Sequence, residues 1–326
     1  MAKHVICLGE CLVDRLFYPI ENGPTPWKNW VDYPGGAPAN VAAAIAKLGI
    51  PSKFVGCLGQ DSRGDWLYQA LEKAGVSCSV QRCTTAPTRT VLVRRAPSGE
   101  RQFVGFSGSD PAEFADTRLT ADWINRIDFT DVAYLVMGTL GLAYPQSAKA
   151  MQQAAKHAAR REIRIIIDLN WRPVFWPDFS IAQSVIRAFI TAADVLKLSR
   201  EEAIWLFRTD CAADICNQLQ HCQAVFITDG PHGSTCATKF EHVSMPAFAV
   251  DAEDTTGAGD AFLGGVITQL CLRGWKSIQD PEIIAQILSY ASAVGALTTL
   301  KPGAISAQPS FQEVKAFLYL NQAPLT

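Results

Sequence analysis

The chain has 326 residues, 48% of them hydrophobic, a formal net charge of -2 and no long Lys/Arg run. That length supports a sizeable core in one large domain, alone or with a small appendage, and the charge argues against nucleic acid or an anionic membrane as main partner. Ten cysteines without a C-x-x-C pair and five histidines without ligand spacing argue against a disulfide scaffold and a transition-metal site.

Val5 to Leu8 reads as a buried strand ending at Gly9-Glu10, with Asp14 soon after. This opening run is too short for a signal peptide, and no apolar stretch reaches membrane-spanning length. The expectation is a soluble, cytoplasmic protein with reduced, mostly buried thiols. Residues 17 to 34, rich in Pro, Trp and Tyr and without helical period, read as strand and loop. Gly35-Gly36 then leads into a helix from Asn40 to Leu48, with Asn40 a candidate cap. Phe54 to Gly59 is a strand, and Asp61-Ser-Arg-Gly64 turns into a helix from Asp65 to Ala74. Alternating runs at Thr88 to Arg95 and Arg101 to Phe106, around Pro97-Ser-Gly-Glu100, signal a hairpin. Residues of about 12–34 and 87–110 together predict a small β lid. Phe103 or Phe106 closes over a ligand there, or packs the lid's inner face.

From Val132 onward the pattern is regular. Strand Val132 to Met137, helix Gln146 to Arg161, strand Ile163 to Asp168, helix Ile181 to Ala192, strand Asp194 to Leu198 and helix Arg200 to Phe207 alternate as βαβ units. Short apolar strands without polar alternation are covered on both faces. The fold class is therefore α/β, a doubly wound, mostly parallel sheet flanked by helices, with ligands expected beyond the strands' C-terminal ends. Three of those ends carry chemistry: Asp168-Leu-Asn170-Trp-Arg172, Lys197-Leu-Ser199-Arg-Glu-Glu202 and, after strand Ala224 to Ile227, Thr228-Asp-Gly230-Pro-His-Gly233.

A strand-like run from His242 to Val250 leads to Asp254-Thr-Thr256-Gly257-Ala-Gly-Asp260-Ala-Phe262, which opens a helix with apolar positions Leu263, Val266, Ile267 and Leu270. Gly257, Ala258 and Gly259 leave the first amides of that helix open to a ligand, and unpaired amides backed by the helix dipole suit a phosphoryl group. Asp260 would repel a static phosphate, but it could take a proton from an attacking hydroxyl. The plain alternative is a glycine turn with an acid in the first helical turn, where Asp is favoured anyway. No G-x-x-x-x-G-K-[ST] phosphate loop occurs, and Phe262 stands where a dinucleotide fingerprint needs its third glycine. A last helix is expected from Ile283 to Thr299, before Lys301-Pro-Gly303.

The Asp254 to Phe262 stretch resembles the C-terminal signature of the ribokinase-like (PfkB) sugar kinases, and Gly35-Gly-Ala-Pro38-Ala-Asn40 through Gly49 resembles their N-terminal one. The resemblance spans essentially the whole chain. It implies a kinase using ATP and Mg²⁺, with Asp260 as base and Gly257, Ala258 and Gly259 as the anion hole. It places Asp14, Gly35, Gly36, Asn40, Phe106, Asp168, Asn170 and Arg172 around a sugar, although Arg172 could equally pair with Asp168 or Asp178. Lys197, Ser199, Glu202, Thr228, Gly230, Gly233 and Ser292 fall at the nucleotide, with Glu202 ordering the Mg²⁺ water shell. Ser199 and Ser292 stand where relatives often carry Asn. Asp254, Thr256 and Gly303 match a K⁺ position. The resemblance also implies a homodimer packed through the lids.

Glu10 and Asp14, Pro38 and the Asn170 to Trp176 run look most like a fructokinase, and the lack of a Glu after Met137 argues against ribose. A 2-keto-3-deoxygluconate kinase would need extra cationic or Tyr contacts to the sugar's carboxylate, and Arg89, Arg101 and Arg172 are available. A non-catalytic sugar-sensing or assembly protein of the same fold ranks lower, because Asp260 and the glycines survive. A nicotinamide oxidoreductase ranks lower still.

Overall fold

The computed structural model describes residues 3–17, 30–95, 101–108, 110–239 and 241–321. The expected hairpin turn at residues 97–100, and much of the expected 17–34 segment, lie outside them.

Nine strands form the main sheet: β1 (His4–Leu8), β4 (Ser52–Gly59), β5 (Ser77–Cys83), β8 (Val132–Met137), β9 (Arg164–Asp168), β10 (Val195–Ser199), β11 (Ala224–Thr228), β12 (Ser234–Thr238) and β13 (His242–Met245). Their spatial order is β13-β12-β11-β10-β9-β8-β1-β4-β5. All pairings are parallel except β11 with β12 and β12 with β13. The chain builds outward from β1 on one side through β4 and β5, then on the other from β8 to β13. The crevice between the ends of β1 and β8 is therefore the topological switch point, where open α/β sheets bind ligands.

Period-two alternation splits the core between the two faces. Ile6 and Leu8 join one apolar cluster, while Val5 and Cys7 join the other. The first cluster is covered by α4 (Pro145–Arg160), α5 (Ala182–Ile190), α6 (Arg200–Phe207) and α7 (Ala212–Gln218). Over the second lie α1 (Ala37–Lys47), α2 (Ser62–Lys73), α8 (Ala258–Arg273) and α9 (Pro281–Thr298). Small residues let α1 and α8 cross closely: a Cβ on Gly264 would fall 2.5 Å from the Ala44 Cβ. That contact brings the N-termini of both helices to one place.

A second sheet of four strands has the order β3-β2-β6-β7, from β2 (Leu12–Phe17), β3 (Trp30–Gly35), β6 (Thr90–Arg95) and β7 (Arg101–Phe106). It rises from the main sheet's C-terminal edge, because β2 follows β1 directly and β6 follows a turn held by Asp61, which accepts from Thr88 N at 2.7 Å.

The observed boundaries differ from the expected ones mainly at helix starts. Helix α1 begins at Ala37, since Pro38 suits its first turn and Gly36, at φ +104, supplies the entry angle. Thus Asn40 lies inside the helix and is not its cap. Helix α2 starts at Ser62, capped by Asp61 accepting from Gly64 N at 2.7 Å. The run expected to reach Val250 as strand stops at Met245, because Pro246 has no N–H to continue a ladder. Strands β5 and β12 and helices α7 and α10 (Phe311–Asn321) are further elements beyond the expected ones.

Candidate active site

The N-terminus of α8 forms the floor of the cleft. Gly257 caps the helix in the left-handed region, φ +73, without a side-chain cap, and a Cβ there would sit 2.6 Å from that of Ala304. Only glycine suits that turn. A Cβ on Gly259 would approach Lys197 Nζ to 2.9 Å, so the missing side chain lets a buried ammonium stand beside the helix end.

Two cavities meet there. One, of about 650 Å³, has mostly apolar walls, including Pro231, Ala247, Phe248 and Phe262, with polar groups from Thr228, Ser234 and Ser292. The other, of about 550 Å³, is rich in charge: Glu10, Asp14, Arg172, Lys197, Glu202 and Asp260 line it, with Asn40 and Asn170. Thr228, Thr255 and Gly259 line both. The amides at the start of α8 are thus the junction between an apolar slot and a polar, acidic one.

Asp260 projects on the acidic side. Its Oδ2 accepts from Asn40 Nδ2 at 2.8 Å, tying α8 to α1. Burial pushes the carboxyl above its ordinary value, while Lys197, Asn40 and Arg172 hold it back. Burial pulls the Lys197 ammonium down, but Asp168, Glu202 and Asp260 outweigh it and leave its pKa raised, so it stays charged. Its Nζ donates to the two Asp168 oxygens at 3.1 and 3.2 Å. Asp168 is therefore the partner of Lys197, not of Arg172. Arg172 donates to the carbonyl of Trp171 at 2.8 Å and its guanidinium lies 3.9 Å from Glu202 Oε1.

Glu202 is the third residue of a capping box on α6: Ser199 Oγ accepts from Glu202 N at 3.2 Å, and Glu202 Oε2 accepts from Ser199 N at 2.8 Å. Its Oε1 accepts from Trp171 N at 2.6 Å. Serine at position 199 is thus explained by the helix start it makes. Glu202 also fixes the loop carrying Asn170, whose backbone is left-handed at φ 43, a conformation Asn tolerates better than most.

Asp14 lines the acidic cavity, and Gly35 opposite Leu12 makes room for it, since a Cβ on Gly35 would lie 2.3 Å from Asp14 Oδ2. Gly36 lines the cavity as well. On the apolar side, Gly230 and Gly233 both take positive φ, and Ser292 Oγ lies 3.3 Å from Ser234 Oγ. Asp254 gathers its loop: Oδ1 accepts from Thr256 N and Oγ at 3.0 and 2.7 Å, and Oδ2 from Gly303 N at 2.9 Å.

Several expected placements differ. Asp168 and Phe106 do not line the acidic cavity; Asp168 is buried under Lys197, and Phe106 packs 5.0 Å from the rings of Phe103 and Phe175, which do line it. Lys197, Ser199 and Glu202 face the acidic cavity rather than the apolar slot. Arg89 is not available to a ligand, being 1% exposed and bonded to Asp116 at 2.7 Å. The Arg101 side chain lies outside the described residues. Sequence reasoning passed over Glu10 as a lining residue, as well as Ser234 and the 247–250 wall. The signals that pointed to Glu10 were its place just past β1 and its pairing with Asp14 in the fructokinase-like set.

The chain belongs to the pfkB family of carbohydrate kinases, whose family model matches residues 2–310. It is a sugar kinase built on the ribokinase-like fold. It is 34% identical over 312 residues to a probable fructokinase-5 of Arabidopsis thaliana, covering 94% of each chain. With a maize (Zea mays) fructokinase-1 it shares 32% over 316 residues, 95% of this chain and 96% of that one. Among solved structures, a Xylella fastidiosa fructokinase with bound ATP superposes with a TM-score of 0.89 at 30% identity, over 99% of this chain and 100% of that one. A Vibrio cholerae O395 fructokinase bound to fructose, ADP and potassium ion gives 0.84 at 28% identity, over 97% and 98%.

Proposed function

We propose that this kinase transfers the γ-phosphoryl group of ATP to a primary hydroxyl of fructose, yielding fructose 6-phosphate. The observation that carries this reading is the meeting of the two cavities at Gly259, with Asp260 on the acidic side. The apolar slot fits an adenosine between Phe248, Pro231 and the small residues of α9, with Thr228, Gly230, Gly233 and Ser292 at its rim. The triphosphate then points at the amides of residues 257–259. Fructose occupies the acidic cavity against Asp14, Gly36, Asn40, Asn170 and Arg172, shaped by Gly35 and backed by Phe106.

Asp260 takes the proton of the attacking hydroxyl as its oxygen bonds to the γ-phosphorus and the bond to the ADP oxygen breaks. Asn40 orients the carboxylate. Lys197, held by Asp168, keeps positive charge beside Gly259, where charge builds on the moving phosphoryl. Mg²⁺, when bound with the nucleotide, neutralises phosphate charge; Glu202 at the cavity wall fits a role in ordering its water, although both of its oxygens already accept protein N–H bonds. For K⁺ the hard oxygens of Asp254 and Thr256 beside Gly303 are a suitable donor set. The second sheet acts as a lid that excludes water.

Of the arginines that could clamp a sugar acid, Arg89 is spent on Asp116, which favours fructose over 2-keto-3-deoxygluconate. No described helix is long and apolar enough to cross a membrane, and all ten cysteines are free; both suit a cytoplasmic enzyme, which we read as a dimer through the lids. The test is an ADP-release assay with Mg-ATP and K⁺ against fructose, 2-keto-3-deoxygluconate, ribose and adenosine. Fructose turnover that falls by about 10³-fold or more in Asp260→Asn, in the range of loss of a general base together with its electrostatic partner, supports the reading. Near-wild-type turnover by the mutant overturns the role of Asp260.

A further inference from the structure

Glu10 is 5% exposed, yet it lines the acidic cavity. It lies two residues past the end of β1, after Gly9, and Gly138 directly follows the last residue of β8. The carboxyl therefore stands at the switch point itself, where the sheet's geometry presents whatever it holds to a ligand. Its Oε1 accepts from Ala37 N, at the start of α1, at 3.2 Å. Its Oε2 lies on the Gly138 side, where a Cβ would still be 4.0 Å away, and the carboxyl's hydrogen-bond donors are backbone amides, those of Ala37 and of Glu10 itself. A carboxyl group offers about four lone-pair sites, so two amide contacts leave it able to meet a ligand that enters the cavity.

We propose that Glu10 is a sugar-binding residue whose carboxyl, turned to the cavity at the switch point, donates a hydrogen bond to a sugar oxygen. This rests on the sugar-kinase reading of the same cavity and adds a specificity determinant to it. Asp14 as an acceptor and Glu10 as a donor would then read two neighbouring oxygens with opposite polarity. A site with acceptors alone would not distinguish a hydroxyl from an amine; a buried donor also rejects a sugar that lacks the matching oxygen.

The surroundings favour the neutral form. Asp116 faces Glu10 from the turn after β7, and Asp260 faces it from α8. Asp14 on β2 lines the same cavity. Helix α1 offers only the uncharged Ala37, Pro38 and Asn40, and the β8 end only Gly138 and Thr139. The nearby cations are engaged: Arg89 with Asp116, Lys197 with Asp168, and Arg172 toward Glu202. Cys11, next in the chain, is a thiol pushed well above its ordinary value by burial and then by Cys78, Glu10, Asp14 and Asp116. Burial chiefly, and then the two aspartates, raise Glu10 to about 8, against backbone amides that lower it. The proton is thus in place through neutral pH and is lost above about 8.

The experiment measures KM for fructose at saturating Mg-ATP from pH 6 to 9.5 in wild type, Glu10→Gln and Glu10→Ala, with calorimetric fructose binding alongside. In wild type KM should stay level to near pH 7.5 and then climb toward ten-fold per pH unit. Glu10→Ala should raise KM by about ten-fold at pH 7, the scale of one lost buried hydrogen bond, and flatten the alkaline climb. Glu10→Gln, whose amide still donates and accepts but cannot titrate, should recover most of that loss and keep the profile flat. The loss should fall on KM for sugar rather than on kcat or on KM for ATP.

A wild-type climb that persists unchanged in Glu10→Gln overturns the inference, as does a Glu10→Gln enzyme as impaired as Glu10→Ala while melting like wild type. Should Glu10→Ala fail to fold, the wild-type and Glu10→Gln profiles alone decide. A wild type that ignores fructose but phosphorylates another sugar refutes the substrate reading only, and the same series on that sugar then tests Glu10.

Discussion

Replacing Arg89 by Met should be among the most damaging changes outside the reacting groups. The guanidinium is fully buried and its Nε donates to Asp116 Oδ2 at 2.7 Å, with Asp116 itself 6% exposed. Nη2 donates to the Pro111 carbonyl at 2.9 Å. The rings of Phe114, Phe175, Phe106 and Tyr144 stand 4.7, 5.1, 5.4 and 5.7 Å from the guanidinium carbon. Arg89 O also accepts from Val13 N at 2.9 Å, so this residue fastens the second sheet to the body at the root of β6. Methionine fills much of the volume but leaves the Asp116 charge buried without its cation. Stranding one member of such a pair costs about 3–5 kcal/mol, and cation–π attraction to the rings is included in that loss.

Equilibrium urea unfolding gives the cost, and the double variant Arg89→Met/Asp116→Leu should regain most of it, since a buried ion pair replaced whole by apolar groups is often neutral. Because Phe175 lines the acidic cavity, proposed above as the sugar site, the single variant should also raise KM for the sugar more than KM for ATP. A cost under about 1 kcal/mol, or a double variant no more stable than the single one, refutes the idea that Arg89 anchors the second sheet through Asp116.

Two further outcomes follow from the geometry. Gly257→Ala forces a Cβ into φ +73 and against Ala304; it should cost about 1–3 kcal/mol in urea unfolding and lower kcat by more than it changes either KM, whereas a silent variant would show that the turn can relax. Glu10 should also make stability fall with rising pH. Its pKa in the folded chain, about 8, exceeds the ordinary 4.5, so its contribution is full below about 4.5 and is lost as pH rises through 8. Between pH 6 and 8 wild type should lose roughly 2–3 kcal/mol relative to Glu10→Gln; parallel stability curves would show that Glu10 ionises normally.

Much of this molecule was legible before any coordinates. Strand Val132–Met137 is marked by a short continuous apolar run and helix Arg200–Phe207 by its Ser199 start with Glu202 three residues on, and the 254–262 stretch shows its turn into a helix because glycine spacing and an acid at a helix start are local chemistry. The residues that differ are those whose neighbours are far away in sequence. Nothing near Asp168 announces that Lys197 takes both of its oxygens, and nothing near Arg89 says that Asp116 and four rings enclose it. Asp14 needs Gly35 across a strand pair, and Asp260 needs Asn40, 220 residues earlier, which only the close crossing of α1 and α8 delivers. Glu10 is the sharpest case. In sequence it is a polar residue ending a strand, and only the reversal of strand order between β1 and β8 makes it a buried acid facing the cavity. Backbone conformation is decided within a few residues, whereas desolvation and the sign of the surrounding charge depend on which distant segments the fold packs together.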